Sequence, residues 1–128
     1  MTSQRDDALT TFMQNLGLRG FNISATNRPW VNNLIIGGGR YVLDVEEISD
    51  ERGVVLALFS KVPTHQLYDN ARQLLLACYY NKFLPMVVQV GLRGDDTLVL
   101  MVRVEQVSPQ TLSRAFDLMF QLYTEIEA

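Results

Sequence analysis

The sequence is poor in the residues from which catalytic and metal sites are most often built. It contains one cysteine, Cys78, and one histidine, His65, in 128 residues. A single cysteine excludes an internal disulfide and a cysteine-based zinc cluster. A single histidine excludes any mechanism that needs two imidazoles. Both residues fall on one predicted helix, where a rise of about 1.5 Å per residue separates them by roughly 20 Å, so they cannot act as a pair.

The sequence also lacks an excess of basic residues and any long hydrophobic run. Eleven lysines and arginines stand against 14 aspartates and glutamates, which gives a net charge of -3. Nucleic acid is therefore not an expected partner, because gripping phosphate backbones requires clustered basic side chains. The longest apolar run, residues 74–80, is far shorter than the ~20 residues that span a bilayer. The polar N-terminus does not resemble a secretory signal, so we predict a cytoplasmic protein without membrane insertion.

The composition is that of one folded domain. Hydrophobic residues make up 48% of the chain, and the length is close to the commonest size of a single domain, so we predict one domain over residues 1–128. Its first element is a helix over residues 6–18. Four apolar residues recur there at the spacing of one helix face, namely Leu9, Phe12, Met13 and Leu16.

Three strands are predicted to follow this helix. Residues 34–36 form a short apolar segment, and Tyr41, Leu43 and Val45 then alternate with more polar neighbours, the period of a strand with one buried face. Residues 54–59 are strongly apolar. Three consecutive strands joined by short connections predict an antiparallel meander.

A helix over residues 65–82 comes next and is apolar nearly all round. We assign one face of it to the core: Leu67, Ala71, Leu74, Leu75 and Cys78. Leu76, Tyr79 and Tyr80 extend the apolar character to the remaining surface. A helix of this kind is buried on two sides. In so short a chain, the second side predicts contact with another subunit.

The second half of the chain predicts two more strands and a last helix. The strands cover residues 86–92 and 97–105, and a hairpin turn at residues 93–96 joins them. The helix has a clear start, because Ser108 can cap it and Pro109 suits the first helical position. The element order αβββαββα predicts an α+β fold, an antiparallel sheet packed with helices, in a dimeric protein.

Short motifs do not indicate chemistry. The glycines at 37–39 precede a strand and lack the lysine and Ser/Thr of a phosphate-binding loop. The acidic residues between Asp44 and Glu51 lack the spacing of a calcium loop. We therefore predict no catalytic, cofactor-binding or metal-binding residues and no enzyme activity. One alternative stays open, a small enzyme or ligand-binding domain in which Tyr79, Tyr80 or Asp44 lines a cleft.

Four segments together resemble one known family. These are the first helix ending in Leu16-Gly17-Leu18, the meander at 40–60, the strand pair at 86–104, and the last helix entered by residues 107–112. In order and length they are similar to the class I chaperones of bacterial type III secretion. The resemblance implies a non-enzymatic cytoplasmic homodimer, or a heterodimer with a related chain. Such a protein uses no cofactor, holds the N-terminal segment of a secreted effector extended and ready for export, and thereby serves virulence.

The resemblance also implies two sets of site residues. An effector-binding groove is expected at Phe12, Leu16, Leu43 and Phe59, where a bound segment adds a strand and fills apolar pockets. A dimer interface is expected on the middle helix and the last strand, at Leu76, Tyr79, Tyr80, Leu98 and Leu100. The alternative family is the YbjN-like one, which has a similar element order and no obvious active site. It implies a regulatory or structural role in the bacterial cytoplasm.

Overall fold

Within the described part of the chain, three α-helices and five strands follow one another in the predicted order. The computed structural model describes residues 4–15, 31–36, 40–47, 53–80 and 86–127. The helices are α1 (Gln4–Asn15), α2 (Leu67–Tyr80) and α3 (Pro109–Glu127), and the strands are β1 (Val31–Ile36), β2 (Tyr41–Glu47), β3 (Val54–Lys61), β4 (Val88–Arg93) and β5 (Thr97–Val104). The α+β class and the order αβββαββα are confirmed. The dimer stays a prediction.

The five strands form one antiparallel sheet with the spatial order β1-β2-β3-β5-β4. The meander β1-β2-β3 is confirmed, and β5 lies between β3 and β4. The β4–β5 hairpin turns at Gly94, whose φ of 65° is a backbone conformation that glycine adopts without strain. The central position of β3 in this order defines the middle of the sheet.

The helices and one face of the sheet enclose the core. Alternate residues of β2, Tyr41, Leu43 and Val45, are buried as the sequence pattern predicts. On β3 and β5 the residues of the same face are Leu56, Leu58, Leu98, Leu100 and Val102, each of them 0% exposed. Helix α3 lies against β3 and β5, and both α1 and α2 pack on α3. The three helices therefore contribute to one hydrophobic cluster on a single side of the sheet.

Helix α3 begins where the sequence predicts. The backbone N–H of Thr111 donates a hydrogen bond to Oγ of Ser108 over 3.1 Å, and the backbone N–H of Ser108 donates to Oγ1 of Thr111 over 2.9 Å. This reciprocal pair satisfies two donors that a helix start otherwise leaves unpaired. The apolar residues Leu112, Ala115, Phe116, Met119 and Tyr123 of this helix are buried, and Ile126 is partly buried.

Helix α2 departs from the prediction in two respects. It begins at Leu67, because residues Thr64–Gln66 form a 3-10 helix in which the N–H of Gln66 bonds the carbonyl oxygen of Pro63 over 2.8 Å. The assignment of Leu75 to the core face is wrong, since its side chain is 54% exposed. Leu74 is the buried residue, and each helical step of about 100° turns the next side chain away from the core.

Candidate functional site

The residues expected to form an effector-binding groove do not come together. Phe12 and Leu43 are both 0% exposed. The ring of Phe12 packs edge-on against Phe116, with 6.2 Å between the ring centroids. Phe59 lies on the opposite face of the sheet, one position out of phase with the core residue Leu58. Leu16 lies outside the described residues. Phe12 and Leu43 thus support the core and offer no surface to a partner.

The residues expected at a dimer interface are also divided. Leu98 and Leu100 are 0% exposed and face the helices, so the structure assigns them to the core. Leu76 is 41% exposed on α2. The side chains of Tyr79 and Tyr80 lie outside the described part of the chain. Among the described side chains of this set, Leu76 alone offers apolar surface.

Leu76 belongs to a larger apolar surface on α2. Tyr68, Leu75 and Leu76 lie seven and eight positions apart along the helix, which places them on one face, and they are 76%, 54% and 41% exposed. We call this set the outer α2 surface. It lies on a different side of the helix from Leu67, Ala71 and Leu74, which pack in the core, and the exposed Arg72 stands between Tyr68 and Leu76 on this side. Exposed apolar groups that lie close together mark interaction sites more often than isolated ones.

A second apolar surface lies on the side of the sheet away from the helices. It consists of the strand residues out of phase with the core, and we call it the open sheet face: Ile35, Val42, Val55, Ala57, Phe59, Val99 and Met101. The described helices pack on the other face of the sheet, and within this set Ile35 is exposed while Val42, Val55, Ala57, Phe59 and Met101 are half-buried. Val99 is only 6% exposed and yet is not a member of the helix-side cluster. The guanidinium of Arg93 lies over the Phe59 ring, 4.2 Å from its centroid, in cation–π geometry.

Charged residues flank this apolar centre on opposite sides. Asp44 and Glu46 project from β2 on the open sheet face, and Arg103 projects from β5 on the same face. The Nε of Arg103 lies 3.7 Å from Oε1 of Glu105 in an exposed ion pair, a kind of contact that contributes little to stability. Arg93 on β4 and Lys61 at the end of β3 are in phase with the same face, so the charges there are mixed in sign.

Sequence reasoning missed the open sheet face, although the sequence carries a signal for it. Residues 98–102 of β5 and residues 54–59 of β3 are apolar at every position. A strand that is apolar throughout is usually covered on both faces. Helices cover one face of these strands, so the other face has apolar side chains without a described cover.

One cleft, with a volume of about 150 Å³, lies between the end of β3, the 3-10 helix and α2. Arg40, Ser60, Lys61, Gln66 and Asn70 supply its polar lining. The lining has no carboxylate, imidazole or thiol, and Asp44 is not part of it.

The reactive side chains singled out in the sequence do not form a site. His65 is exposed in the 3-10 helix, and Cys78 is partly buried in the last turn of α2. Burial raises the pKa of the Cys78 thiol, which makes the thiol less reactive at neutral pH. No group of three or more His, Cys, Asp or Glu within the described ranges could hold a metal ion. None of the described helices has the length and apolar character that crossing a bilayer requires.

Comparison with known proteins identifies a similar fold but does not identify a family. No family model matches the chain, and no curated protein sequence matches it. The structure defines an α+β domain in which three helices pack on one face of the sheet, and a solved structure with a similar fold is that of YbjN from E. coli, described as a candidate transcription regulator. The match covers 94% of this chain and 86% of YbjN, with a TM-score of 0.54 and 10% sequence identity. At that identity the likeness shows a shared fold alone.

Proposed function

We propose that this protein is a non-enzymatic, cytoplasmic binding protein whose partner is another polypeptide. The observation that carries the proposal is the outer α2 surface, where Tyr68, Leu75 and Leu76 hold large apolar side chains in solvent. Full burial of one leucine side chain is worth about 1.5–3 kcal/mol. A polypeptide with apolar side chains of its own supplies that burial, and neither a cofactor nor a metal is required.

Two roles fit a protein of this kind. The similarity to YbjN supports a regulatory role, exerted through protein contacts because a net charge of -3 does not favour a direct grip on DNA. The order αβββαββα is also that of the type III secretion chaperones, which supports a second role. In that role the partner is the N-terminal segment of a secreted effector, held extended until export.

Site-specific photo-cross-linking from the outer α2 surface tests the proposal. The photoreactive residue benzoylphenylalanine replaces Leu76, the protein is expressed in its native cells, and cross-linked products are identified by mass spectrometry. The matched control carries the same group at Gln110, an exposed polar position on α3. We expect one partner polypeptide to be cross-linked from position 76 and not from position 110.

The identity of the cross-linked chain separates the roles. A regulatory protein supports the YbjN-like role, and the N-terminal segment of a secreted protein supports the chaperone role. A second copy of this chain supports the dimer predicted at Leu76 and removes other partners from this surface. If position 76 gives no cross-linked product beyond those of the Gln110 control, the proposal is wrong.

A further inference from the structure

One core position of β3 holds a polar residue. The buried residues of this strand recur at every second position, and the last of them is Ser60, which is 3% exposed. The strand register sets Ser60 between Tyr41 of β2 and Leu98 of β5, and both of these neighbours belong to the core on the helix side of the sheet. A serine therefore stands where the pattern of the strand calls for an apolar side chain.

The hydroxyl of Ser60 has no hydrogen-bond partner within the part of the chain that the structure describes. Thr97 is also buried, but its hydroxyl donates a hydrogen bond to Oδ1 of Asp96 over 2.8 Å. A buried polar group without a partner costs stability, and in native proteins it usually indicates a bound water, ion or ligand that supplies the missing hydrogen bond. Ser60 therefore marks a place where a bound molecule can complete the hydrogen bonding.

Ser60 lines the cleft between the end of β3, the 3-10 helix and α2. The volume of this cleft is about 150 Å³, whereas a single water needs only about 10–15 Å³. Pockets for drug-sized ligands are larger, at about 300–1,000 Å³. The cleft therefore suits a molecule of a few non-hydrogen atoms.

The lining of the cleft combines positive charge with apolar side chains. Arg40 and Lys61 are both exposed and supply two cations, and no described lining residue carries a carboxylate. Gln66 and Asn70 add amide groups that can donate hydrogen bonds. The apolar part of the lining includes Val62, Pro63, Leu98 and Ile126. A carboxylate with an alkyl group matches both parts, whereas inorganic phosphate matches only the cations and the hydrogen-bond donors.

We propose that this cleft binds a small carboxylate that carries a short alkyl group. The carboxylate accepts hydrogen bonds from the hydroxyl of Ser60 and the guanidinium of Arg40, and the alkyl group lies against Val62 and Ile126. Hydrogen bonds to an ionised group are stronger than neutral ones, and a guanidinium matches the two oxygens of a carboxylate. The cleft joins residues of β3, α2 and α3, so the bound molecule also stabilises the folded state.

Titration of the full chain with isovalerate tests the proposal. Isovaleramide is the matched control without charge, and inorganic phosphate is the control without an alkyl group. Binding is followed by NMR of the ¹⁵N-labelled protein, in which the backbone amide of Ser60 and the side-chain amide of Asn70 report on the cleft. We expect isovalerate to bind with a dissociation constant of about 1 mM or below. The two controls should bind at least about tenfold more weakly.

Substitutions locate the bound molecule. Ser60→Ala and Arg40→Gln should each weaken isovalerate binding at least about tenfold, because each removes a hydrogen bond to the carboxylate. Ser60→Ala should leave the unliganded protein at least as stable as the original, since it removes a hydroxyl without a partner. Ser113→Ala on α3 and Arg103→Gln on β5 are the matched controls outside the cleft and should not change the affinity. Thermal unfolding by circular dichroism checks that every variant folds.

Three results would overturn the proposal. The first is the absence of saturable shifts at about 20 mM isovalerate, roughly twenty times the expected dissociation constant. The second is equal or tighter binding of isovaleramide or phosphate, which would show that the cleft does not select a carboxylate with an alkyl group. The third is isovalerate binding that either Ser60→Ala or Arg40→Gln leaves unchanged. Because the cross-linking experiment examines the outer α2 surface, each of these results leaves the proposed function standing.

Discussion

The hydroxyl of Tyr123 on α3 donates a hydrogen bond to the carbonyl oxygen of Leu58 on β3, with 2.5 Å between the two oxygens. A second acceptor, the carbonyl oxygen of Leu98 on β5, lies 3.2 Å away. Tyr123 is 1% exposed, and its ring packs on Tyr41 of β2 with 5.5 Å between centroids. One side chain of the last helix therefore contacts the three central strands of the sheet.

Removing this hydroxyl should cost stability without disturbing the packing. Tyr123→Phe keeps the ring and loses the hydrogen bond, so we expect the free energy of unfolding to fall by about 1–2 kcal/mol. Urea unfolding followed by circular dichroism at one fixed protein concentration measures the change. Tyr68→Phe is the matched control, because the Tyr68 side chain is 76% exposed. Equal stability of the two variants would show that the buried hydroxyl contributes nothing.

Alanine substitutions should separate core leucines from surface leucines. Leu100→Ala removes a side chain that is 0% exposed and should lower the free energy of unfolding by about 2–5 kcal/mol. Leu76→Ala removes one that is 41% exposed and should cost less than about 1 kcal/mol in the isolated protein. Chemical denaturation measures both. A larger loss of unfolding free energy for Leu76→Ala than for Leu100→Ala would contradict the placement of Leu100 on the core face of β5.

The start of α3 should depend on Ser108. Ser108→Ala removes the oxygen that accepts the N–H of Thr111, so we expect a loss of about 1 kcal/mol in unfolding free energy. Ser113→Ala is the control, since position 113 lies inside the same helix and alanine favours helix formation there. Thermal unfolding of both variants gives the comparison. If Ser113→Ala lowers the stability as much as Ser108→Ala does, the loss of the cap is not the cause.

Alkylation of Cys78 should be slow at neutral pH and accelerate in the alkaline range. Burial raises the thiol pKa, and the thiolate is the reactive form. The rate with iodoacetamide, measured against pH, should rise at higher pH in the folded chain than in the chain unfolded by urea. The neutral thiol thereby stabilises the fold below the unfolded-state pKa, and this contribution disappears as the pH rises through the raised folded-state pKa. Identical pH profiles in both states would contradict the burial, and Cys78→Ala controls for reaction elsewhere.

The sequence predicted the elements whose apolar residues lie on one side. Tyr41, Leu43 and Val45 alternate with more polar residues, so only one face of β2 could enter the core, and the structure buries that face. Helix α3 could be predicted equally well because Ser108 and Pro109 mark its start. In both cases one period explains most apolar positions, and the exceptions are Val42 in β2 and Leu118, Phe120 and Leu122 in α3.

The candidate site could not be predicted in the same way, because its elements are apolar on both sides. In β5 the residues Leu98, Val99 and Leu100 are equally suited to the core, and a shift of one residue exchanges the two faces of a strand. Sequence reasoning placed Leu98 and Leu100 at an interface, whereas Val99 is the one that faces away from the helices. The run Leu74-Leu75 in α2 carries the same ambiguity. Only the packing of the helices decides which residue points inward.

The order β1-β2-β3-β5-β4 also has a consequence for biosynthesis. Strand β3 is complete at Lys61, but its neighbour β5 pairs Val54 with Val104, so the apolar edge of β3 has no partner until most of the chain has been translated. Unpaired apolar edges attract strands of other molecules. The nascent chain is therefore most prone to aggregation between the synthesis of β3 and that of β5, and contacts this distant in sequence form slowly. The yield of native protein should consequently depend on how quickly the ribosome synthesises the β4–β5 hairpin.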